Sequence, residues 1–433
     1  MNSVVVALQQ LQLALNAEFA DAPGLEQLSV AISLSDASDA LAWLTSQRLY
    51  PQFYWQQRNG DDEIAALGAL RNFETLDAAS AFLNDYADQP TLRITGVNAF
   101  SPTTSCLFLP RLEWRRIGGS AYLYLHLYSE TSLQDDAREA RHFLEQLLPA
   151  KLLPSQRLNC VGEQHIPTQP EWHQLIERAT TAIEQHELDK VVLARVTDLQ
   201  FTSAVSAAGF MAASRRVNLN CYHFLMVFDA SHAFLGSSPE RLWRRIDCAL
   251  RTEALAGTVS NHPDEHRAWS LGQWLLKDDK NQRENMLVVE DICQRLQKSV
   301  GAIDVLPPQI VRLRKVQHLR RCIWTELAKP DDAQCLALLQ PTAAVAGLPR
   351  DVAHQFITQY EPFEREWYAG SAGYISQRQA EFCVALRSAK VTNNMVRLYA
   401  GAGIVAGSDA AEEWQEIENK AAGLRTLLTK TTF

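Results

Sequence analysis

The sequence predicts an α+β protein built mainly from antiparallel sheets, and three observations carry that expectation. Apolar and aromatic runs arrive in hairpin-like succession, amphipathic helical stretches are mixed among them, and the one dinucleotide-like glycine run lacks the surroundings of a βαβ unit. Taken in order, Leu8, Leu11 and Leu15 recur at helical spacing. Cys106 to Trp114 and Ser120 to Tyr128 flank Gly118-Gly119, with Leu123, Leu125 and Leu127 alternating with Tyr122, Tyr124 and His126, the pattern of an antiparallel hairpin. Leu147 to Pro154 carries the prolines of a junction but is short and apolar, so it reads as a seam within one fold. A helix with Trp172, Leu175, Ile176, Ala179 and Ile183 on one face leads into a strand from Lys190 to Arg195. Further strands are expected at 223–228, 368–375, 382–389 and 396–405.

With 433 residues, 47% of them hydrophobic, the chain can bury a sizeable core. A net charge of −9 argues against nucleic acid or an anionic membrane surface as partner, while leaving room for a small anionic substrate held by a few placed cations. The eight cysteines are scattered, without a Cys-x-x-Cys pair, and read as buried reduced thiols of a cytosolic protein. No apolar run approaches the roughly 20 residues a bilayer needs, and the N-terminus lacks a basic signal segment, so a soluble, cytoplasmic protein is expected.

Several residues could carry chemistry. Lys190 shares a strand face with Val192 and Ala194, and a desolvated lysine can serve as general base; a snorkelling lysine at a strand end is the bland alternative. Glu240, in Gly236-Ser237-Ser238-Pro239-Glu240, sits where a strand enters a tight turn, as suits a general acid with a raised pKa; an ordinary ion pair with Arg241 or Arg244 would explain it equally. Glu284 lies on one helix, and Glu413, Glu416 and Lys420 share a face of another. Carboxylates with few His or Cys nearby suit a hard cation such as Mg²⁺, although Glu416 and Lys420 also form a standard i, i+4 pair. Gly401-Ala402-Gly403-Ile404-Val405-Ala406 fits a dinucleotide fingerprint, but Gly407-Ser408-Asp409 intervene before the next helix and too little chain remains for a further βαβ turn. NAD binding is therefore rejected, and these glycines are expected to admit a carboxylate to the backbone.

Together, Gly236 to Glu240, Gly257-Thr258, Val316-Gln317-His318-Leu319, Pro341 to Gly347, Tyr368-Ala369-Gly370, Ala400 to Gly403 and Glu413 to Lys420 resemble the chorismate-utilising enzymes, the anthranilate, aminodeoxychorismate, salicylate and isochorismate synthases. The match covers at least residues 165–430. Tyr54-Trp55-Gln56-Gln57-Arg58 and Leu109 to Trp114 look like the menaquinone-pathway isochorismate branch.

The resemblance implies one large domain, residues 1–155 being the N-terminal part and 156–433 the catalytic part, with two mainly antiparallel sheets wrapped by helices and the site in the cleft between them. It implies that Lys190 activates water, that Glu240 protonates the leaving hydroxyl, and that Glu284 and Glu416 hold Mg²⁺, with Glu413 a possible outer partner. Lys420 and the Gly401–Gly403 backbone would bind the ring carboxylate, Tyr368 and Arg387 the enolpyruvyl carboxylate, while Thr258 and His318 line the ring pocket. Asn281 stands where some relatives carry a second acidic residue.

The aminating relatives have Gln in place of Lys190, and the aminodeoxychorismate enzyme has a nucleophilic Lys in the segment where Leu255-Ala256-Gly257-Thr258 stands here. Ala256 offers no nucleophile, so water is expected to attack and no glutaminase subunit is expected. A salicylate synthase, decided by small changes around Ala344, and a catalytically silent chorismate sensor are the competing readings.

Overall fold

The computed structural model describes residues 3–33, 39–153 and 158–428. The expected boundary between the two parts of the chain, at residue 155, lies outside them. Among the described residues, eleven helices and twenty strands form one mixed fold in which every strand pairing is antiparallel.

The expected hairpin is present: Ser105–Ile117 and Ser120–Ser129 pair across Gly118-Gly119, and Gly118 has the positive φ of +54° that the turn demands. The longer strand of this hairpin is also where two sheets divide. One edge pairs with Asp62–Phe73 along most of its length. On the other edge its first half takes Ile94–Asn98 and its second half takes Ser120–Ser129.

From there one sheet runs through Gln52–Gln56, Tyr222–Val227, His232–Ser238, Ser388–Thr392 and Met395–Ile404 to Lys190–Phe201. The other runs from Ile94–Asn98 through Ser371–Ile375, Gln379–Val384, Arg241–Ile246 and Ala249–Ser260 to Val316–Leu327. The two expected sheets are therefore layers that share one strand, and segments from both parts of the chain interleave in each.

Strand alternation assigns the side chains to two cores. On Gln52–Gln56, Phe53 and Trp55 join the cluster that also holds Trp243, Tyr374 and Phe382 of the second sheet. Tyr54, between them, faces the other way into a cluster with helix residues such as Leu11, Trp43 and Phe210. Trp55 meets Tyr374 edge-on across the layers at 5.5 Å, and Trp243 stacks on Phe382 at 4.5 Å.

Most expected elements stand where they were placed: helices Val4–Ala14 and Gln169–Glu184, and strands Tyr222–Val227 and Met395–Ile404. Two differ. The strand expected at 368–375 begins only at Ser371, because Tyr368-Ala369-Gly370 forms a turn with Ala369 at φ +60°. The strand expected at 382–389 is two strands, Gln379–Val384 in the second sheet and Ser388–Thr392 in the first. The chain passes between sheets here, and Arg387 takes φ +48° to make the turn. An apolar run hides such a crossing, since its composition suits both sheets. The cysteines also depart from expectation: all eight are free, but only Cys221, Cys335 and Cys383 are fully buried.

Trp243 is fully buried and its indole N–H donates to Asp332 at 3.2 Å, so truncation empties a large volume and removes one hydrogen bond, leaving Asp332 to Arg245. Trp243→Ala is expected to cost about 3–5 kcal/mol, read as a lower midpoint of thermal unfolding. An unchanged midpoint would show that the Trp243–Phe382 stack within the second sheet is not a principal contact of the core.

Candidate active site

The two sheets part around a cleft, and the chain crosses from one to the other twice beside it. At Pro239-Glu240 it leaves His232–Ser238 for Arg241–Ile246; between Val384 and Ser388 it returns. The crossings lie side by side, with the Val384 N–H donating to the Glu240 carbonyl at 3.0 Å and the Ser237 N–H to that of Arg387 at 3.1 Å. Glu240 and Arg387 both line the cleft.

Glu240 is almost completely buried and its Oε1 has no hydrogen-bond partner. Arg241 and Arg244, the pairing partners a local reading offers it, instead face Glu381 at 3.2 and 3.5 Å. Burial above all, and then the neighbouring charge of Glu253, push the Glu240 pKa up to about 8; Lys190, Lys420 and Arg387 pull the other way. A carboxyl that keeps its proton near neutrality is equipped as an acid.

A bulge between Leu255 and Thr258, with Gly257 at φ +88°, directs Thr258 toward the cleft. Asn281 holds this bulge in place, its Oδ1 accepting the Thr258 N–H at 2.9 Å while its amide donates to Asp278 at 2.7 Å. His318 stands opposite. Arg387 can only donate, so the 2.6 Å contact to His318 Nε2 makes that nitrogen the acceptor and leaves the proton on Nδ1, which faces Thr258 Oγ1 at 3.1 Å. Burial, followed by the charges of Arg387 and Lys420, holds the His318 pKa well below its ordinary value, so the ring is neutral.

Tyr368 lies stacked on Tyr399 with ring centroids 5.1 Å apart. Among the described residues no carboxylate forms an ion pair with Arg387, whose guanidinium is left to meet an anion in the cleft.

Gly401 and Gly403 fall in the strand Met395–Ile404, not at a helix start, as the rejection of a dinucleotide site required. Their missing side chains leave room for neighbours. A Cβ on Gly401 would come within 2.7 Å of the Tyr368 hydroxyl; one on Gly403 would meet Glu284 Oε1 at 2.5 Å and Lys190 Cε at 3.0 Å. Lys190 itself is fully buried against Gly403 and donates at 3.0 Å to Glu284, which lines the cleft.

Three carboxylates from two helices gather here, each facing a lysine. Glu284 meets Lys190 at 3.0 Å, Glu413 meets Lys280 at 3.5 Å, and Glu416 meets Lys420 at 2.5 Å, the i, i+4 pair its spacing predicts. Lys420 also donates to the Gly401 carbonyl at 2.9 Å. Burial, and then the charge of Glu416, push the Glu413 pKa up, with Glu284 adding to the effect. Among the described residues no three His, Cys, Asp or Glu side chains converge tightly enough to form a complete metal cage. Carboxylates that repel one another in a buried setting nevertheless suit a hard divalent cation, and Mg²⁺ needs only one or two of them beside waters and substrate oxygens.

The family profile described as chorismate binding enzyme matches residues 10–429. The chain belongs to the chorismate-binding enzymes. It is 64% identical over 428 residues to isochorismate synthase MenF of Escherichia coli (strain K12), covering 99% of each chain. It is 40% identical to isochorismate synthase MenF of Haemophilus influenzae, covering 91% of this chain and 90% of that one. The solved structure of the menaquinone-specific isochorismate synthase from Escherichia coli superposes with a TM-score of 0.97 at 63% identity, covering 99% of this chain and 100% of that chain.

In this chorismate-binding enzyme, Glu240, Thr258, Glu284 and His318 line one cleft with Tyr368, Arg387, Gly401, Gly403 and Lys420. Lys190 and Glu416 adjoin it through their contacts to Glu284 and Lys420, while Glu413 pairs with Lys280. Sequence reasoning missed Glu253 and Lys280. Glu253 left a readable sign, a lone carboxylate within the strand run Thr252-Glu253-Ala254-Leu255-Ala256; Lys280 left none on its polar helix turn.

Because the folded protein holds the Glu240 proton up to about pH 8, where an unfolded chain has already released it, this group's contribution to stability falls as pH rises toward and through that value. Glu240→Gln, which has no charge to bury, is expected to unfold at a higher temperature than the parent above about pH 8, with the margin shrinking as pH is lowered. Equal margins at both ends of a pH series of melting curves would contradict the assignment.

Proposed function

We propose that this chain is an isochorismate synthase that converts chorismate to isochorismate and feeds menaquinone biosynthesis. The observation that carries the reading is a cleft that holds a protonated, buried Glu240, has no nucleophile at Ala256, and is bordered at Glu284 and Gly403 by the buried Lys190. The full-length likeness to isochorismate synthases supports it.

In the proposed reaction Lys190 takes a proton from the water that adds at C2 of the ring. The two conjugated ring double bonds shift, the C4–O bond breaks, and Glu240 gives its proton so that the hydroxyl departs as water. One water enters and one leaves, and return of a proton from Lys190 to Glu240 resets the site. In the arrangement described, Lys190 donates to Glu284, and its nitrogen can accept a proton from water only as the neutral amine, through its lone pair.

Arg387 and Tyr368 are proposed to hold the enolpyruvyl carboxylate, Lys420 and the Gly401–Gly403 backbone the ring carboxylate, and Thr258 and neutral His318 the ring. Mg²⁺ held by Glu284 and Glu416, with Glu413 nearby, would supply positive charge to the ring carboxylate. We place the enzyme in the cytoplasm, where eight free thiols are at home. No described helix is long and apolar enough to cross a membrane. Residues 1–155 and 156–433 are proposed to act as one continuous domain, and no glutaminase partner is required when water is the nucleophile.

Incubation of the purified protein with chorismate and Mg²⁺, followed by chromatography, is expected to give isochorismate; salicylate with pyruvate, or unchanged chorismate, would overturn the reading. Chelation should abolish turnover and Mg²⁺ restore it, whereas full activity in excess chelator would remove the metal from the scheme.

The two proton-transfer residues make a separate test. Glu240→Gln should lower the rate roughly a hundredfold or more, and in the parent the rate should fall as pH rises through about 8, where Glu240 loses its proton. Lys190→Gln should fold, by circular dichroism, and form almost no isochorismate. Near-parental rates in either variant would move the acid or base role elsewhere.

A further inference from the structure

The segment Tyr54-Trp55-Gln56-Gln57-Arg58 has no part in the reaction as described, yet it ends against the acid. Its strand, Gln52–Gln56, belongs to the first sheet, while Arg58 just beyond it reaches the second. The guanidinium forks onto both oxygens of Glu253, with Nη1 donating to Oε1 at 2.6 Å and Nη2 to Oε2 at 2.8 Å. Nη1 also donates to the Pro239 carbonyl at 3.0 Å. Glu253 Oε1 in turn accepts the Arg241 N–H at 2.8 Å. The pair thus grips the carbonyl of the residue before Glu240 and the amide of the residue after it. Glu253 is completely buried and the Arg58 side chain retains 11% exposure.

We propose that Arg58 and Glu253 are positioning residues for Glu240, their ion pair clamping the peptide groups on either side of it and so fixing where its carboxyl stands in the cleft. The inference rests on the acid role proposed for Glu240. Three observations favour it over a purely structural bridge. A buried ion pair contributes little net stability, because desolvation offsets attraction, so stability alone is a poor reason for its presence. Both of its peptide contacts are to the immediate neighbours of one residue. That residue has no side-chain hydrogen bond to Oε1 of its own, so its direction is set through its backbone.

The pair also contributes to the electrostatic setting of the acid. The charge of Glu253 favours the Glu240 proton, while those of the cations Lys190, Lys420 and Arg387 oppose it. Behind Glu253 stand Arg58 and Arg241, and beyond them Tyr222 and Glu381, to which Arg241 donates at 3.0 and 3.2 Å. Gln57 and Arg244 close on the same Glu381, at 2.6 and 3.5 Å. Glu253 is the one anion named among these that acts on Glu240 to keep its proton.

The sign of a charge change follows. Glu253→Gln keeps the side chain's shape, removes that anion, and leaves Arg58 and Arg241 with an uncompensated positive field. Both effects favour ionised Glu240.

The test is the pH dependence of kcat for isochorismate formation in the parent, Glu253→Gln, Arg58→Lys and Glu240→Gln, each first checked for folding by circular dichroism and melting temperature. Glu253→Gln should shift the descending limb downward by about one pH unit, with KM for chorismate within about twofold. Arg58→Lys keeps the cation but cannot span two carboxylate oxygens and a carbonyl. It should lower kcat about tenfold while the limb stays near its parental position, again with little change in KM. Glu240→Gln should lose the limb altogether.

If Glu253→Gln and Arg58→Lys fold and keep the parental limb and kcat, while Glu240→Gln has lost the limb, the positioning role is overturned and the acid assignment stands. If Glu240→Gln retains the parental limb, the acid assignment itself fails and the inference falls with it. Should Glu253→Gln not fold, the kcat and KM of Arg58→Lys decide alone, and a parental kcat there overturns the proposal.

Discussion

The site depends on one constraint: where a chain leaves one sheet for another, its backbone polar groups still need partners. Here two such crossings solve the problem for each other. The segments around Glu240 and Arg387 run antiparallel and exchange backbone hydrogen bonds just where each has left its ladder. Within a ladder, each side chain is committed to a packed face. At a crossing that commitment lapses, and a carboxyl and a guanidinium can both stand in the gap between diverging sheets. Gly236 permits the close approach, since a Cβ there would lie 2.5 Å from the Phe224 ring and 3.0 Å from the Leu386 carbonyl. The turn at Tyr368 is tied to the same place through the Ala369 N–H to Ala385 and the Ala385 N–H to Gly370.

Charge is distributed unevenly around that gap. Among the helix-borne glutamates every carboxylate has an ammonium within reach, with Lys190, Lys280 and Lys420 answering Glu284, Glu413 and Glu416. Glu240 Oε1 has no such partner, and the carboxyl keeps its proton because ionisation in that buried setting is costly. The two groups of glutamates therefore differ in their partners: one set is answered by ammonium groups, while Glu240 Oε1 is left without a hydrogen bond.

The residues before the junction are integral to this arrangement. Strand Gln52–Gln56 sits between Asp62–Phe73 and Tyr222–Val227, and Ile94–Asn98 pairs with Ser371–Ile375, so each sheet contains strands from both parts of the chain. Gln57 and Arg58 carry buried polar contacts across to Glu381 and Glu253. A buried charge network of this kind is tolerated only when each member is satisfied, which ties the geometry of the acid to strands nearly two hundred residues away in sequence.

Much of this was legible in the chain. Period-two and period-3.6 patterns marked the hairpin at Gly118-Gly119, the helices and most strands, because those periods follow from local geometry that each segment obeys by itself. Chemically unusual residues in a fixed order, such as Glu240 after Ser238-Pro239 and Glu284 on its helix, marked the candidate site. The crossing inside 382–389 was not legible, since Phe382 to Ala389 suits either sheet and the break at Arg387 is a matter of where the strands go. Nor could the sequence show that Lys190 reaches Glu284 rather than the open cleft, or that Arg58 answers Glu253. Sequence alone determined the elements and the inventory of reactive groups. Tertiary structure decided which groups met and which were left without a partner, because burial and pairing are properties of residues brought together from distant strands, and these set both protonation and direction.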